Sequence, residues 1–594
     1  MTSQGHARLT SSSPFSQFAQ IASTSYERTN TSPSPFRPLE PPATTSTISP
    51  PGSGQLRPPP AQYLPSNAQL LDTFPTGHEL TNIISEPHHV SEGEDIPRNA
   101  VNREVLPSRD EINGLLRHFE FYTLAAFPIF YLPTLERQVQ EVCFGGNDCG
   151  PVDICMVFLV LAVAATSIPR SSPLIHLKPQ ADVFHKMVLP HMDVALRAPD
   201  VRRLQVKLIH LQYVLYNPSA GNVWELAGGA IRIAVDLALH RESQHRRRNE
   251  RSPVEQDLRR RLFWTAYCID RNLTIALGRP LSLPDAWINT IFPMTCHDTA
   301  FDHNSGTEAP LAPSKLSAIH HFQVRILQSE IYHRLYTPNS PRPPHEWFDE
   351  MSKRITTWRE TAPCETGFCS TQWLNLNYHM STIILNRPSP ANPDPDEEGL
   401  KRALKAASGV MRTYKEMYRA GRINFNWLSM YQLFMAGVTY LNSIWQAHRK
   451  GYSIVPSYVD ALLDVQVCTA VMEPLAAITP GTTGLRDAFE HVSESIIRRI
   501  TSRATWASRP PSPIPHLPTL DSSLNSSSMS QPAQTFEEAA EMDTGDSNPL
   551  DQFFFDPLEF MFDPLGDLTT GDWHQAFQTV GPEPFGGGLP SIDP

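Results

Sequence analysis

The sequence predicts an all-α fold, a multi-helix domain held between two disordered arms. Apolar residues through the middle of the chain recur at steps of three and four, as in Leu258, Leu262, Thr265, Ile269 and Leu273, which is helical spacing. No stretch of useful length alternates apolar and polar residues as a half-buried strand would. Composition changes sharply toward both ends, where many of the 56 prolines gather. In such an array each amphipathic helix must cover its neighbours.

Residues 1–107 are rich in Ser, Thr and Pro and include Pro58-Pro59-Pro60. They carry too little apolar surface to offset the entropy of ordering, which predicts disorder. Order is expected to begin at Ser108-Arg109-Asp110-Glu111, a capping box, and to run on through Ile112, Leu115, Leu116, Phe119 and Tyr122. The run Ile154 to Ile168 is uncharged between Pro151 and Pro169. It falls short of the roughly twenty residues a membrane span needs, so a core helix is the expectation. Further helices are expected over 180–197 and 202–216.

Residues 221–241 predict a helix with Val223, Ala227, Ala230 or Ile231, Ala234 and Ala238 on one side and Glu225, Arg232 and Asp236 on another. Gly228 and Gly229 cost roughly 1 kcal/mol of helix propensity each, which suggests that another backbone packs close there. The following loop carries Arg246-Arg247-Arg248 between Glu242 and Glu250 and reads as solvated rather than as an import or phosphate-binding signal.

The next helix is the best marked. Ser252 caps it, Pro253 suits its first position, and Glu255 completes a capping box. Gly278 suits a left-handed cap and Pro280 forbids continuation. Arg259, Arg260, Arg261, Asp257 and Asp270 fall off the apolar line, so one packed and one charged face are expected. The Asp270-Arg271 pair and the arginine run read as structural ion pairing rather than as a catalytic constellation.

Beyond a polar loop over 293–313, one helical line runs through Leu316, Ile319, Gln323, Ile326, Glu330 and His333, with Leu327, Ile331 and Leu335 beside it. Helices follow over 347–360, 371–386, 398–419, 425–448, 457–473 and 485–503. Pro388, Pro390, Pro393 and Pro395 predict an exposed loop. The ordered domain is thus expected to span 108–505, with a disordered tail over 506–594.

Trp224, Arg232, His240-Arg241, Glu255, Arg260-Arg261, Phe263-Trp264, Asp270-Arg271 and Gly278-Arg279-Pro280 stand in one order over about sixty residues. Together they resemble the middle homology region of the fungal zinc-cluster transcription factors; the weaker resemblance covers most of 108–500, where Phe127 to Leu135 is similar to the family's turn between its first helices. It implies an all-α regulatory domain, a nuclear location and control of a metabolic or secondary-metabolite gene cluster. The family's DNA reader is a six-cysteine module holding two zinc ions. No cysteine precedes Cys143 here, and none of the eight is spaced Cys-x-x-Cys. No cofactor is therefore expected in this chain, with zinc entering only if a cysteine-rich module lies upstream of it. Truncation, DNA contact through a partner, and restraint of a full-length relative remain alternative explanations.

The net charge of −12 belongs to the tail, which holds fourteen Asp and Glu and no Lys or Arg after Pro510. The middle is near neutral and lacks the basic footprint of a nucleic-acid reader. Within the tail, Phe553, Phe554, Phe555, Leu558, Phe560, Phe562, Leu565, Trp573 and Phe577 are bulky groups among acids, suited to a partner's apolar groove. Such segments resemble transcriptional activation regions, so the partners expected are the transcription machinery or coactivators, with promoter DNA reached indirectly. A small-molecule effector and no membrane complete the expectation. No phosphate loop, His-Glu-x-x-His or Gly-x-Ser-x-Gly is present, and isolated His185, His191, His320 and His321 read as packed or solvated, so no enzyme is expected. A metabolite-binding or scaffold co-regulator is the alternative.

Overall fold

The computed structural model describes residues 105–145, 149–242, 252–301, 311–363, 368–423, 426–479 and 482–507. Residues 1–104 and 508–594 of the expected arms, with every tail aromatic named above, and the Arg246–Arg248 loop lie outside the described residues. The helices are α1 (Arg109–His118), α2 (Leu132–Phe144), α3 (Pro151–Thr166), α4 (Gln180–Val188), α5 (Met192–Leu196), α6 (Arg202–Tyr216), α7 (Val223–Asp236) and α8 (Pro253–Leu277). They continue as α9 (Pro313–Tyr336), α10 (His345–Glu360), α11 (Thr371–Asn386), α12 (Glu397–Arg419), α13 (Asn426–Lys450), α14 (Tyr458–Ile478) and α15 (Thr483–Ala507). Among the described residues the only β pairing is two isolated bridges, Cys296 with Leu311 and Ser389 with Asn392.

Three apolar cores organise the domain. The first surrounds α3, every residue of which from Ile154 to Ala165 is buried, and gathers α1, α2, α4, α6, α7 and α8. The second is built on α13 with α12, α14 and α15. The third joins α9, α10 and α11. The apolar run of α3 is a core helix, as its length argued. Helix α14 is long and apolar enough to cross a membrane by length and composition. Here it walls the second core through Ala461, Val465, Cys468 and Met472, and exposes Tyr458, Val459 and Leu463.

Local chemistry explains most boundaries. Ser108 and Glu111 form the reciprocal capping box, the Ser252 hydroxyl accepts from the Glu255 N–H at 3.2 Å, and Gly278 ends α8 at φ 66°. Other boundaries differ from expectation. Helix α2 begins inside the expected turn over 127–135, at Leu132, with Pro133 in its first turn, where its missing N–H costs nothing. The expected 180–197 helix is broken at Pro190 by a 3₁₀ turn. Helix α7 stops at Asp236 rather than Arg241, since Ala238 adopts φ 52°, and Ala238 is exposed.

Burial also corrects three readings. The glycines of α7 face side chains rather than a backbone: a Cβ on Gly228 would meet the Arg232 guanidinium at 3.3 Å, and one on Gly229 the Lys207 stem at 3.0 Å. Helix α8 has no free charged face, as residues 260 to 271 are buried throughout; its charges are matched inside. In α9 the predicted line from Leu316 to His333 is the less buried side. The interior side carries the flanking Leu327, Ile331 and Leu335, as expected, together with Ser317, His320, His321, Arg325, Gln328 and Ser329. The proline loop after α11 is not exposed as a whole: Pro388 and Pro395 are buried, and the Ala391 N–H donates to the Leu335 carbonyl at 3.0 Å.

Candidate functional site: a charged clamp and a cationic cavity

The residues singled out in α7 and α8 form a clamp. The segment after α8 runs back beside it, and six polar or aromatic residues of the helix, from Asp257 to Arg271, hold points along it. Arg271 donates to the Leu283 carbonyl and to Asp285 at 2.9 Å, and pairs with Asp270 at 2.6 Å. Ser282 donates to Asp270. Tyr267 donates to Asp285 at 3.1 Å and Trp264 donates its indole N–H to the Ile291 carbonyl at 3.0 Å. Asp257 accepts from the Met294 N–H at 2.5 Å. Arg261 bridges Asp257 at 2.6 Å and Asp298 at 2.5 Å, and reaches the Phe130 carbonyl at 3.2 Å. Lys315 adds a contact to Asp298 at 2.8 Å.

The remaining singled-out residues frame the clamp. Arg260 pairs with Glu242 at 2.5 Å. Arg279 lies over the Trp224 ring at 4.9 Å and Arg241 over Trp287 at 5.6 Å. The backbone carbonyl of His240 accepts from the Asn289 N–H at 3.1 Å, while Arg232 is exposed and Phe263 is fully buried. Pro280 stands exposed just past Gly278.

Burial pushes the Asp298 carboxyl up, but the Arg261 and Lys315 cations more than offset this and hold it at about 2. A carboxyl depressed in the folded state contributes stability above its unfolded pKa and loses it as pH falls through the folded value. The fall from an ordinary 3.8 to about 2 corresponds to about 2 kcal/mol. The difference in unfolding free energy between wild type and Asp298→Asn is therefore expected to narrow by that order between pH 6 and pH 2. Urea titrations at stepped pH measure it, and a gap that stays constant refutes the pairing.

The second feature is a cavity of about 640 Å³. All three cores contribute to its wall, Phe127 and Leu428 from the first, Leu376, Tyr414 and Met435 from the second, and Ile384 from the third. It opens to solvent where the exposed Ser171, Gly421 and Arg422 line it. None of the clamp or motif residues lines it; α8 contributes Asn272, Ile275 and Ala276. Two of its cations are buried, Arg325 (5% exposed) and Arg387 (2% exposed). Arg325 donates to Gln328 and approaches His321 at 3.5 Å, and Arg387 donates to the Tyr336 hydroxyl at 2.6 Å.

No sequence reading found this cavity. A signal did exist: His321, Arg325 and Gln328 recur at i, i+4 and i+7 among apolar neighbours, a polar stripe turned inward. Cys268 stands 3.3 Å from His321, a pairing that suggests a nucleophile. Burial pushes the thiol up to about 11, away from the thiolate such chemistry needs. Of the other histidines considered, His185 lies 3.5 Å from His210, and His320 stacks on Trp358 at 4.7 Å. His191 is partly buried, which lowers its pKa. Among the described residues no group of three or more His, Cys, Asp and Glu is placed to hold a metal ion.

Residues 119–360 match the fungal specific transcription factor domain. The chain is similar to the positive regulator of purine utilization of Emericella nidulans, 26% identical over 54% of this chain and 38% of that protein. It is also similar to the pyrimidine pathway regulatory protein 1 of Saccharomyces cerevisiae, 29% identical over 39% of this chain and 27% of that one. A third relative is the ABC-transporter-regulating transcription factor of Aspergillus fumigatus, 23% identical over 44% of this chain and 29% of the relative. The matched region thus spans less than two-fifths of each of these proteins. Residues 119–360 thus match the fungal specific transcription factor domain, and the chain is similar to fungal transcriptional regulators.

Proposed function

We propose that this protein is a nuclear regulator of transcription whose helical domain is controlled by a small-molecule effector and whose acidic, aromatic tail recruits the transcription machinery. The observation that carries the reading is the cavity of about 640 Å³ inside the family domain, a volume within the usual range of small-molecule sites. Relatives named for purine and pyrimidine pathways support control of metabolic genes. Promoter DNA is reached through a partner or a module outside this chain, zinc belongs to that module alone, and the chain is no enzyme. The thiol beside His321, driven toward its neutral form, supports the last point.

The test fuses the full chain, and separately residues 510–594, to a foreign DNA-binding domain upstream of a reporter. Both fusions are expected to activate, and alanine at Phe553, Phe554, Phe555, Phe560 and Phe562 is expected to abolish it. A silent tail in both contexts sinks the activation reading and leaves a scaffold or metabolite-binding co-regulator.

A further inference from the structure

We infer that the cavity is built for an organic anion, with Arg325 as the residue that binds its acidic group. This rests on the effector reading above and narrows it to a ligand class. The domain shows how it treats buried guanidinium groups elsewhere: Arg261 and Arg271, both nearly inaccessible, are each given two carboxylates. Arg325 is as deeply buried and, among the described residues, has no carboxylate within ion-pair distance. Its neighbours are Gln328, His321 and Cys268, and its Nε has no hydrogen-bond partner. Arg387, the other buried cation of the wall, likewise lacks a carboxylate and leaves one guanidinium nitrogen unpartnered.

An uncompensated buried charge is strongly unfavourable unless something supplies the counter-charge. Nothing in the wall does: among the described residues no aspartate or glutamate lines the cavity. A bound anion would supply it. The rest of the wall describes the body of that ligand. Phe127, Trp373 and Tyr414 offer flat apolar surface. Gln212, 1% exposed, has neither its amide nitrogen nor its oxygen paired, and so presents a donor and an acceptor together. The geometry fits a planar or aromatic molecule bearing one carboxylate or similar acid and a polar edge able both to give and to accept hydrogen bonds.

The test uses the full chain and a matched pair of fluorescent probes, 1-anilinonaphthalene-8-sulfonate and its uncharged parent N-phenyl-1-naphthylamine. Wild type is expected to bind both. Arg325→Met is expected to weaken the sulfonate by about 10- to 100-fold, the value of a charge-assisted hydrogen bond, and to leave the neutral probe unchanged. Arg325→Lys, which keeps the charge, should recover part of the loss. Because the guanidinium has no carboxylate to orphan, Arg325→Met should melt within a few degrees of wild type, and the unchanged neutral probe reports that the cavity is intact. Equal loss of both probes, or no loss of either, overturns the assignment of an anion to Arg325. Failure of wild type to bind either probe overturns the effector cavity itself.

Discussion

Replacing Arg271 by methionine is expected to destabilise the domain by about 3–5 kcal/mol, the usual result of removing one partner from a buried ion pair. Asp270 is fully buried and depends on this guanidinium, while the exposed Asp285 pairs with it as well. Burial raises the Asp270 carboxyl, and Arg271 together with Ser282 opposes that rise. Without the arginine the desolvation of Asp270 stands alone. The same substitution frees the Leu283 carbonyl and the Ser329 hydroxyl, so the segment after α8 loses its central anchor. Adding Asp270→Asn to Arg271→Met should cost much less than Asp270→Asn alone. The double-mutant cycle, read from urea unfolding, then returns a coupling of about 0.5–3 kcal/mol. Additive losses would show that the pair carries no mutual dependence.

The second large effect is expected at Phe263. Its ring is fully buried and meets Trp264 and Tyr267 at centroid distances of 5.4 and 6.3 Å. Phe263→Ala removes the ring and leaves a hole that the first core cannot fill, at about 3–5 kcal/mol. Phe263→Leu keeps most of the volume and should cost less than about 1.5 kcal/mol. Urea unfolding followed by far-UV circular dichroism distinguishes them, and similar losses for both would place the effect in aromatic geometry rather than in volume.

What the sequence revealed follows from how local each feature is. The start and end of α8 rest on Ser252, Pro253 and Gly278, which act on backbone within a turn of themselves, and so could be read directly. The end of α7 could not, because an alanine, not a glycine, takes the left-handed conformation there. The charges of α8 were legible as residues but not as buried ones, since their partners Asp285 and Asp298 lie in a segment without periodicity. For α9 the line through Leu316 and Ile319 misled, because the interior face mixes His321, Arg325 and Gln328 with Phe322, Val324, Ile331 and Leu335. The cavity was the least accessible feature: its wall comes from segments between His118 and Met435, and no single stretch carries its pattern.

A chamber walled by all three cores would let a bound molecule bear on the cohesion of the whole domain. A molecule that binds only the folded chain adds about 2.7 kcal/mol to its stability at a hundredfold excess over Kd. The same free energy is then available to favour whichever mutual placement of the cores grips the guest more tightly. Intracellular abundance of that guest would thereby be converted into a mechanical bias, registered first as resistance to heat and proteolysis.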